Sequence, residues 1–304
     1  MHDLLNRFDR STIPSFAGLA ELPAVEVDSF TAISAEARAQ IVSRYQRHGI
    51  CLIAAKNRTV TDDSINAVAA ALALGPTFTP SLYRGTAAMS DGIARMCADN
   101  RTAQMAHPSF DSTKGQPLHS DGTLESIGEV KTSLLLCVQP AHSGGTTFFV
   151  NTTAIFAELA DSDPAAAAAL MHPHALVRVS NLPGAARSVS IGPGLSTVDG
   201  DLLTRLSLTP TDSWQIPDDE DGLALMRALA TMIRGRRERD PRYYVEFSLE
   251  QGMGVLFAND RLGHGRHDYT NSDTRTRRMI RGLFTTRPSN AAVGALTGRQ
   301  ETHR

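Results

Sequence analysis

The chain has 304 residues, of which 41% are hydrophobic and 20% are charged, and this composition excludes a disordered, collagen-like or coiled-coil protein. Lysine and arginine number 30 against 32 acidic residues, so the net charge of −2 provides no field that would hold nucleic acid or an anionic membrane. The three cysteines lie far apart, and we find no apolar run long enough for a membrane helix or a signal sequence. We therefore expect a folded cytoplasmic protein whose partner is a small molecule.

The first third of the sequence predicts helices around one buried strand. Residues 34–49 carry apolar side chains at helical spacing and end on a glycine, and Ile50–Ala55 is a continuous apolar run typical of a buried strand. A second helix is expected to begin at Thr61, where two aspartates favour the first turn. Residues 75–116 lose any period and predict a long connection over a site.

The rest of the chain is rich in strands. Residues 131–139 and 146–151 have strand character, and the Ser-Gly-Gly turn between them predicts a hairpin. The alanine run 165–169 predicts a short surface helix, and 218–237 returns to helical period with an acidic first turn and a basic last turn. Further strands follow within 243–287. With no alternation of strand and helix, the pattern favours a mainly β protein with flanking helices (α+β), built as a double-sheet barrel, over a Rossmann fold.

One cluster of side chains suits a metal ion. His119 and Asp121 are two positions apart, so on an extended segment both side chains leave the same face. His264 lies near the C-terminus, ahead of an arginine-rich segment. Two imidazoles and one carboxylate on one face of an octahedron leave three open positions, which is the arrangement that non-haem Fe(II) oxygenases use.

Three motifs resemble those of the taurine dioxygenase and clavaminate synthase-like 2-oxoglutarate-dependent oxygenases. They are GQPLHSDGT at 115–123, SGGTTFF at 143–149 and NDRLGHGR at 259–266, and they occur in that family's order. The resemblance implies a double-stranded β-helix, or jelly roll, in a single catalytic domain spanning 1–304. Its core would cover roughly 50–287, with an N-terminal helical cover and a helical insert at roughly 152–237.

The resemblance also implies the cofactors, Fe(II), 2-oxoglutarate and O2, and assigns His119, Asp121 and His264 as iron ligands. His267 is a rival for the second imidazole, but the His-Gly-Arg triplet favours His264. The family usually has Asp-Asn before the arginine that precedes this histidine, whereas this chain has Asn259 and then Asp260.

The distal carboxylate of 2-oxoglutarate needs a buried cation, and the fork of an arginine matches two oxygens better than a lysine does. Arg281 alternates with apolar residues, so we expect it to point inward and prefer it to Arg277 and Arg278. The family's Gly-Gly-x-Thr segment adds Thr147 as a hydroxyl donor.

The implied reaction is hydroxylation of an unactivated C–H bond, because halogenating relatives lack the carboxylate that this chain keeps at Asp121. Desaturation, cyclisation or epimerisation at the same iron remain alternatives, and a non-redox metal hydrolase or lyase on a β barrel is a remote one. We expect an amino-acid- or peptide-derived intermediate of antibiotic biosynthesis as the substrate. Candidate residues for the lining of its pocket are Arg101, Gln104, Ser133, Arg266 and Asp268.

Overall fold

The computed structural model describes residues 8–84, 89, 91–98, 110–180, 187–215 and 219–291. Its α-helices are α1 Ala35–His48, α2 Asp62–Ala71, α3 Thr152–Ser162, α4 Pro164–Leu170 and α5 Asp219–Arg237. Its strands are β1 Val25–Val27, β2 Ile50–Ala55, β3 Ile93–Met96, β4 Gln116–His119, β5 Thr132–Gln139, β6 Ser143–Gly144, β7 Thr147–Val150, β8 Leu176–Val179, β9 Val189–Gly192, β10 Leu195–Val198, β11 Asp201–Thr204, β12 Asp212–Trp214, β13 Tyr244–Phe247, β14 Met253–Ala258, β15 Gly263–Arg266, β16 Tyr269–Thr270 and β17 Arg278–Phe284.

Local chemistry explains the first helix and strand, which lie where the sequence predicts them. The Ser34 hydroxyl accepts a hydrogen bond from the backbone N–H of Ala37 at 3.1 Å and caps α1. Gly49 ends the helix with φ +67°, a left-handed conformation that glycine adopts at little cost. The chain then enters β2 directly, and the fully buried Ile41 of α1 joins Ile53 of β2 in one hydrophobic cluster.

Two sheets form the jelly roll. The larger has the strand order β1-β2-β14-β5-β17-β3, and the smaller has the order β13-β7-β15-β4. One apolar cluster takes side chains from both, including Phe149 and Val245 of the smaller sheet and Leu135, Phe257 and Met279 of the larger. The two sheets therefore pack face to face, as in sandwich folds, and the predicted mainly β fold with flanking helices is confirmed.

The predicted hairpin of 131–139 with 146–151 is wrong. β5 pairs with β14 and β17 in the larger sheet, whereas β7 pairs with β13 and β15 in the smaller one. The glycine turn between them includes β6, which pairs with β16 instead. An apolar strand pattern and a turn show that two strands are close in sequence, but they do not identify the partner of each strand.

Two further predictions need correction. The connection 75–116 contains β3, an edge strand of the larger sheet that pairs with β17, and four residues were too short a run to predict it. The alanine-rich helix α4 is capped by Asp163, with 3.1 Å from Oδ1 to the Ala166 backbone N. It is not a surface helix, however, because Ala166, Ala167 and Leu170 are fully buried in a cluster that includes side chains of α3 and α5.

The predicted insert contains α3 to α5 and β8 to β12, and part of it reaches the smaller sheet. Ser207 forms a β-bridge with His119, the last residue of β4. Flanking hydrogen bonds join Ser120 N to Leu206 O at 3.0 Å and Leu208 N to Leu118 O at 2.8 Å. Residues 206–208 thus extend this sheet beyond β4. Among the described helices, none combines the length and apolar character needed to cross a bilayer.

Candidate active site

The paired ends of two strands bring the predicted metal ligands together. His119 of β4 and His264 of β15 are direct cross-strand partners, and Asp121 follows two residues after His119. The Nε2 atoms of the two histidines lie 4.0 Å and 3.7 Å from the Asp121 carboxylate oxygens, respectively. One ligand atom from each residue lies within 4.8 Å of the other two. The three groups converge on a single point, as a facial metal site requires.

Several neighbours orient these ligands. The carbonyl oxygen of Pro117 lies 2.8 Å from Nδ1 of His119, which leaves Nε2 to face the centre. Ser133 donates its hydroxyl proton to Oδ2 of Asp121 at 2.8 Å, and Arg281 Nη1 donates to Oδ1 at 2.5 Å. The carboxylate is therefore held from two sides.

The electrostatics favour two neutral imidazoles and one carboxylate anion. Burial lowers the pKa of His264 to about 3, and it also lowers the pKa of His119. Burial alone would raise the pKa of Asp121, but the Arg281 cation, with contributions from the two histidine rings and the Ser133 hydroxyl, outweighs it and brings the pKa to about 2. At neutral pH the three side chains have the protonation states in which a divalent cation binds them.

The donor set fits Fe(II). Two imidazole nitrogens and one carboxylate oxygen are the ligands of the two-histidine, one-carboxylate centre. These three residues could therefore hold the ion that the sequence predicts.

His267, the rival for the second imidazole, and two further histidines lie away from this centre. Nε2 of His267 is 3.2 Å from Oε2 of Glu246 and 3.3 Å from the hydroxyl of Tyr244, on a half-exposed face of the smaller sheet. His172 and His174 lie with ring centroids 5.5 Å apart, and the structure places no third ligand near them within the described ranges.

A small cavity of about 30 Å³ lies behind the metal ligands. It is bordered by Thr147 and by three buried arginines, Arg266, Arg277 and Arg281. Arg278, the third candidate for the cation, is exposed. Thr146 also turns away, with its hydroxyl 3.2 Å from that of Ser248 at the surface.

A larger cavity of about 430 Å³ opens in front of the metal ligands, within the usual size range of small-molecule sites. Tyr83 and Phe110 form an aromatic wall, with ring centroids 5.8 Å apart and an interplanar angle of 26°. Among the described residues, the charged ones that line it are the cations Lys114, Arg178 and Arg281 and the carboxylates Asp121 and Glu125. These described side chains carry three positive charges against two negative ones, a net charge of +1 before any metal binds.

The predicted pocket residues that the structure describes do not line the larger cavity. Arg101 and Gln104 lie outside the described residues. Ser133 is fully buried against Asp121. Arg266 Nη2 donates to the Lys114 carbonyl at 2.6 Å, and Asp268 Oδ1 accepts from Gly115 N at 2.5 Å. Ser133 therefore contacts the candidate ligand Asp121, and Arg266 and Asp268 contact the segment that leads into β4.

Sequence reasoning missed much of the larger cavity. Arg178, Thr209 and Thr211 come from the insert, and Tyr83 comes from the connection 75–116. None of them belongs to a motif, so only the folded arrangement could reveal them.

A jelly roll that carries a His-x-Asp pair and a distant histidine at its strand ends defines the non-haem iron oxygenases that use 2-oxoglutarate. The chain belongs to the family described as "Taurine catabolism dioxygenase TauD, TfdA family", whose model matches residues 15–283. It is thus an Fe(II)- and 2-oxoglutarate-dependent dioxygenase, as the motifs predicted, and the hydrolase or lyase alternative is not favoured.

One curated relative and two solved structures are similar to this chain. A uridine-5'-phosphate dioxygenase from Amycolatopsis sp. is 38% identical over 254 residues, which cover 83% of this chain and 90% of the relative. Asparagine oxygenase, solved with Fe(II), 3-hydroxyasparagine and succinate, has a TM-score of 0.58 at 13% identity and covers 83% of this chain and 79% of its own. A taurine dioxygenase from Burkholderia xenovorans has a TM-score of 0.56 at 17% identity, with 84% and 82% covered. The two structures share the fold.

Proposed function

We propose that this dioxygenase hydroxylates uridine 5'-phosphate or a close pyrimidine nucleotide. The observation that carries the proposal is the 38% identity to a uridine-5'-phosphate dioxygenase along 90% of that relative's length. A net positive cavity of about 430 Å³ with an aromatic wall supports it, since a nucleotide offers an anionic phosphate and a flat base. This substrate class replaces the amino-acid- or peptide-derived intermediate expected from the sequence, and a role in antibiotic biosynthesis stays a prediction.

In this proposal His119, Asp121 and His264 hold Fe(II). With 2-oxoglutarate and O2 bound, the iron supplies the oxidising power that breaks an unactivated C–H bond. The protein holds the groups in place: Pro117 fixes the tautomer of His119, and Ser133 and Arg281 fix the carboxylate of Asp121. The positions of the substrate's C–H bonds relative to the iron then depend on the walls of the larger cavity.

For 2-oxoglutarate we propose Arg277, with Thr147, as the partner of the distal carboxylate, in place of the preferred Arg281. Both arginines border the small cavity, but Arg281 already pairs with Asp121 at 2.5 Å. Arg277 lies against Tyr269, with its guanidinium carbon 5.2 Å from the ring centroid, which holds the fork in one orientation. Its charge has no carboxylate partner among the described residues, so it can pair with the co-substrate.

Oxygen consumption tests the proposed function. Uptake should require Fe(II) and 2-oxoglutarate together, and uridine 5'-phosphate should raise it well above the rate without a substrate. Asparagine and arginine serve as comparison substrates, because structural neighbours were solved with hydroxylated forms of both amino acids. Stimulation by an amino acid but not by the nucleotide would contradict the proposed substrate and leave the enzyme class unchanged.

A further inference from the structure

The wall of the larger cavity that the insert forms contains an arginine with no role in the iron centre or the 2-oxoglutarate pocket. Arg178 lies on β8, directly across from Asp212 on β12. Its Nη1 atom is 3.1 Å from Oδ1 of Asp212 and 2.7 Å from the hydroxyl of Thr209, and it also contacts the hydroxyl of Thr211. Within the described parts of the chain, every hydrogen bond of this side chain goes through Nη1.

The carboxylate that pairs with Arg178 lies behind the cavity wall. The Asp212 side chain is fully buried, and its Oδ2 accepts hydrogen bonds from the Ser207 hydroxyl at 2.5 Å and from the Thr209 backbone N at 3.0 Å. Arg178, Thr209 and Thr211 line the cavity, whereas Asp212 does not. Asp212 therefore fixes the guanidinium from behind without presenting a negative charge to a bound ligand.

Backbone pairing sets this group of residues beside the iron centre. Ser207 bridges to His119, and Thr209 follows only two residues later. Arg178, Thr209 and His119 line the same cavity. A small ligand with its reactive carbon near the metal can thus place an anionic group on this wall.

We infer that Arg178, with Thr209 and Thr211, forms the subsite for the phosphate monoester of the substrate. The assignment rests on the proposed function in taking that group to be a nucleotide phosphate. Three contacts on Nη1 prevent the guanidinium from swinging away, and Nη2, which makes no hydrogen bond among the described residues, can donate to a phosphate oxygen. The Thr209 hydroxyl donates to Asp212, so the Thr211 hydroxyl, 2.8 Å from Thr209 Oγ1, is the donor that can turn to the phosphate.

The test is calorimetric titration of the anaerobic protein, loaded with Fe(II) and 2-oxoglutarate, with uridine 5'-phosphate, uridine and inorganic phosphate. The wild type should bind the nucleotide more tightly than uridine. Arg178→Gln should weaken nucleotide binding about tenfold to a hundredfold, the range for charge-assisted hydrogen bonds, and leave uridine binding nearly unchanged. Thr211→Val, which keeps the side chain's shape, should cause a smaller loss that is again confined to the phosphorylated ligand.

Arg227→Gln is the matched control, because it removes the same charge from an exposed ion pair with Asp163 in the same insert. Equal losses for nucleotide and uridine in Arg178→Gln would assign the arginine a purely structural role and overturn the inference. If that variant does not fold, an unchanged nucleotide affinity in Thr211→Val overturns it.

The design separates this subsite from the proposed function. Tight nucleotide binding that does not depend on Arg178 would contradict the proposed subsite but agree with the proposed substrate. Binding of inorganic phosphate that depends on Arg178, with no binding of uridine 5'-phosphate, would agree with the proposed subsite but contradict the nucleotide as the substrate.

Discussion

Asn259 holds Asp121 at both ends of the aspartate's backbone. Its Oδ1 accepts from the Asp121 N–H at 2.7 Å, and its Nδ2 donates to the Asp121 carbonyl at 3.1 Å and to the Val130 carbonyl at 2.9 Å. Asp260, the next residue, turns away from the metal ligands and pairs with Arg287 at 2.6 Å. The unusual Asn-Asp order thus places the amide, which can both donate and accept, beside the proposed iron ligand.

Asn259→Ala should therefore lower both stability and iron affinity. It leaves buried backbone groups of Asp121 and Val130 without partners, at a cost of about 1 to 3 kcal/mol for each such group. The measurements are thermal unfolding and titration with Fe(II) under anaerobic conditions. Asn57→Ala, at an exposed turn where Asn57 accepts only from Thr59, is the control and should change neither value appreciably. Unchanged iron affinity in Asn259→Ala would contradict the proposed positioning role.

Alanine variants of the two candidate histidines, His264 and His267, should differ clearly in activity and in iron binding. His264→Ala removes one of three converging ligand atoms, so we expect loss of turnover and a large drop in Fe(II) binding. His267→Ala breaks contacts with Glu246 and Tyr244 that lie away from the candidate iron ligands, so most activity should remain. Iron content and oxygen uptake measure both effects. An inactive His267→Ala variant together with an active His264→Ala variant would reverse the ligand assignment.

Arg277→Lys should raise the apparent KM for 2-oxoglutarate by about tenfold to a hundredfold, because lysine keeps the charge but loses the bidentate fork. Arg278→Lys makes the same change at the exposed neighbour and should leave this KM unaltered. Initial rates at varied 2-oxoglutarate with a saturating nucleotide give both values. A normal KM in Arg277→Lys would return the role to Arg281.

The product should gain one oxygen atom that derives from O2, and chloride should have no effect. The reason is that Asp121 supplies the carboxylate at the place where a halide would need to bind. Mass spectrometry of products formed under labelled oxygen, with and without chloride, decides the outcome. A chlorinated product would contradict hydroxylation, whereas a product lighter by two hydrogens would move the reaction to desaturation or ring closure.

Local signals in the sequence predicted those parts of the molecule that depend on neighbours in the chain. The cap at Ser34, the glycine at 49 and the short spacing of His119 and Asp121 each act over a few residues. Local signals could not decide whether Arg277 or Arg281 pairs with the distal carboxylate of 2-oxoglutarate. Strand alternation gives both the same face, but only the folded structure shows which of them meets Asp121. The partner strands of β5 and β7 were missed for the same reason, since they come from the distant C-terminal segment.

The bridge between Ser207 and His119 also has a consequence for how substrate preference can change. Residues 206–208 join β4 through main-chain groups, so the join itself does not depend on the side chains of the turn that follows. The turn that follows, 209–212, can then be exchanged as a unit between related dioxygenases. Strand β4, which carries the candidate ligand His119, keeps its hydrogen bonds in such an exchange. Directed evolution of new substrate ranges can concentrate on this turn and on the β8 position facing it, with the catalytic half of the barrel left intact.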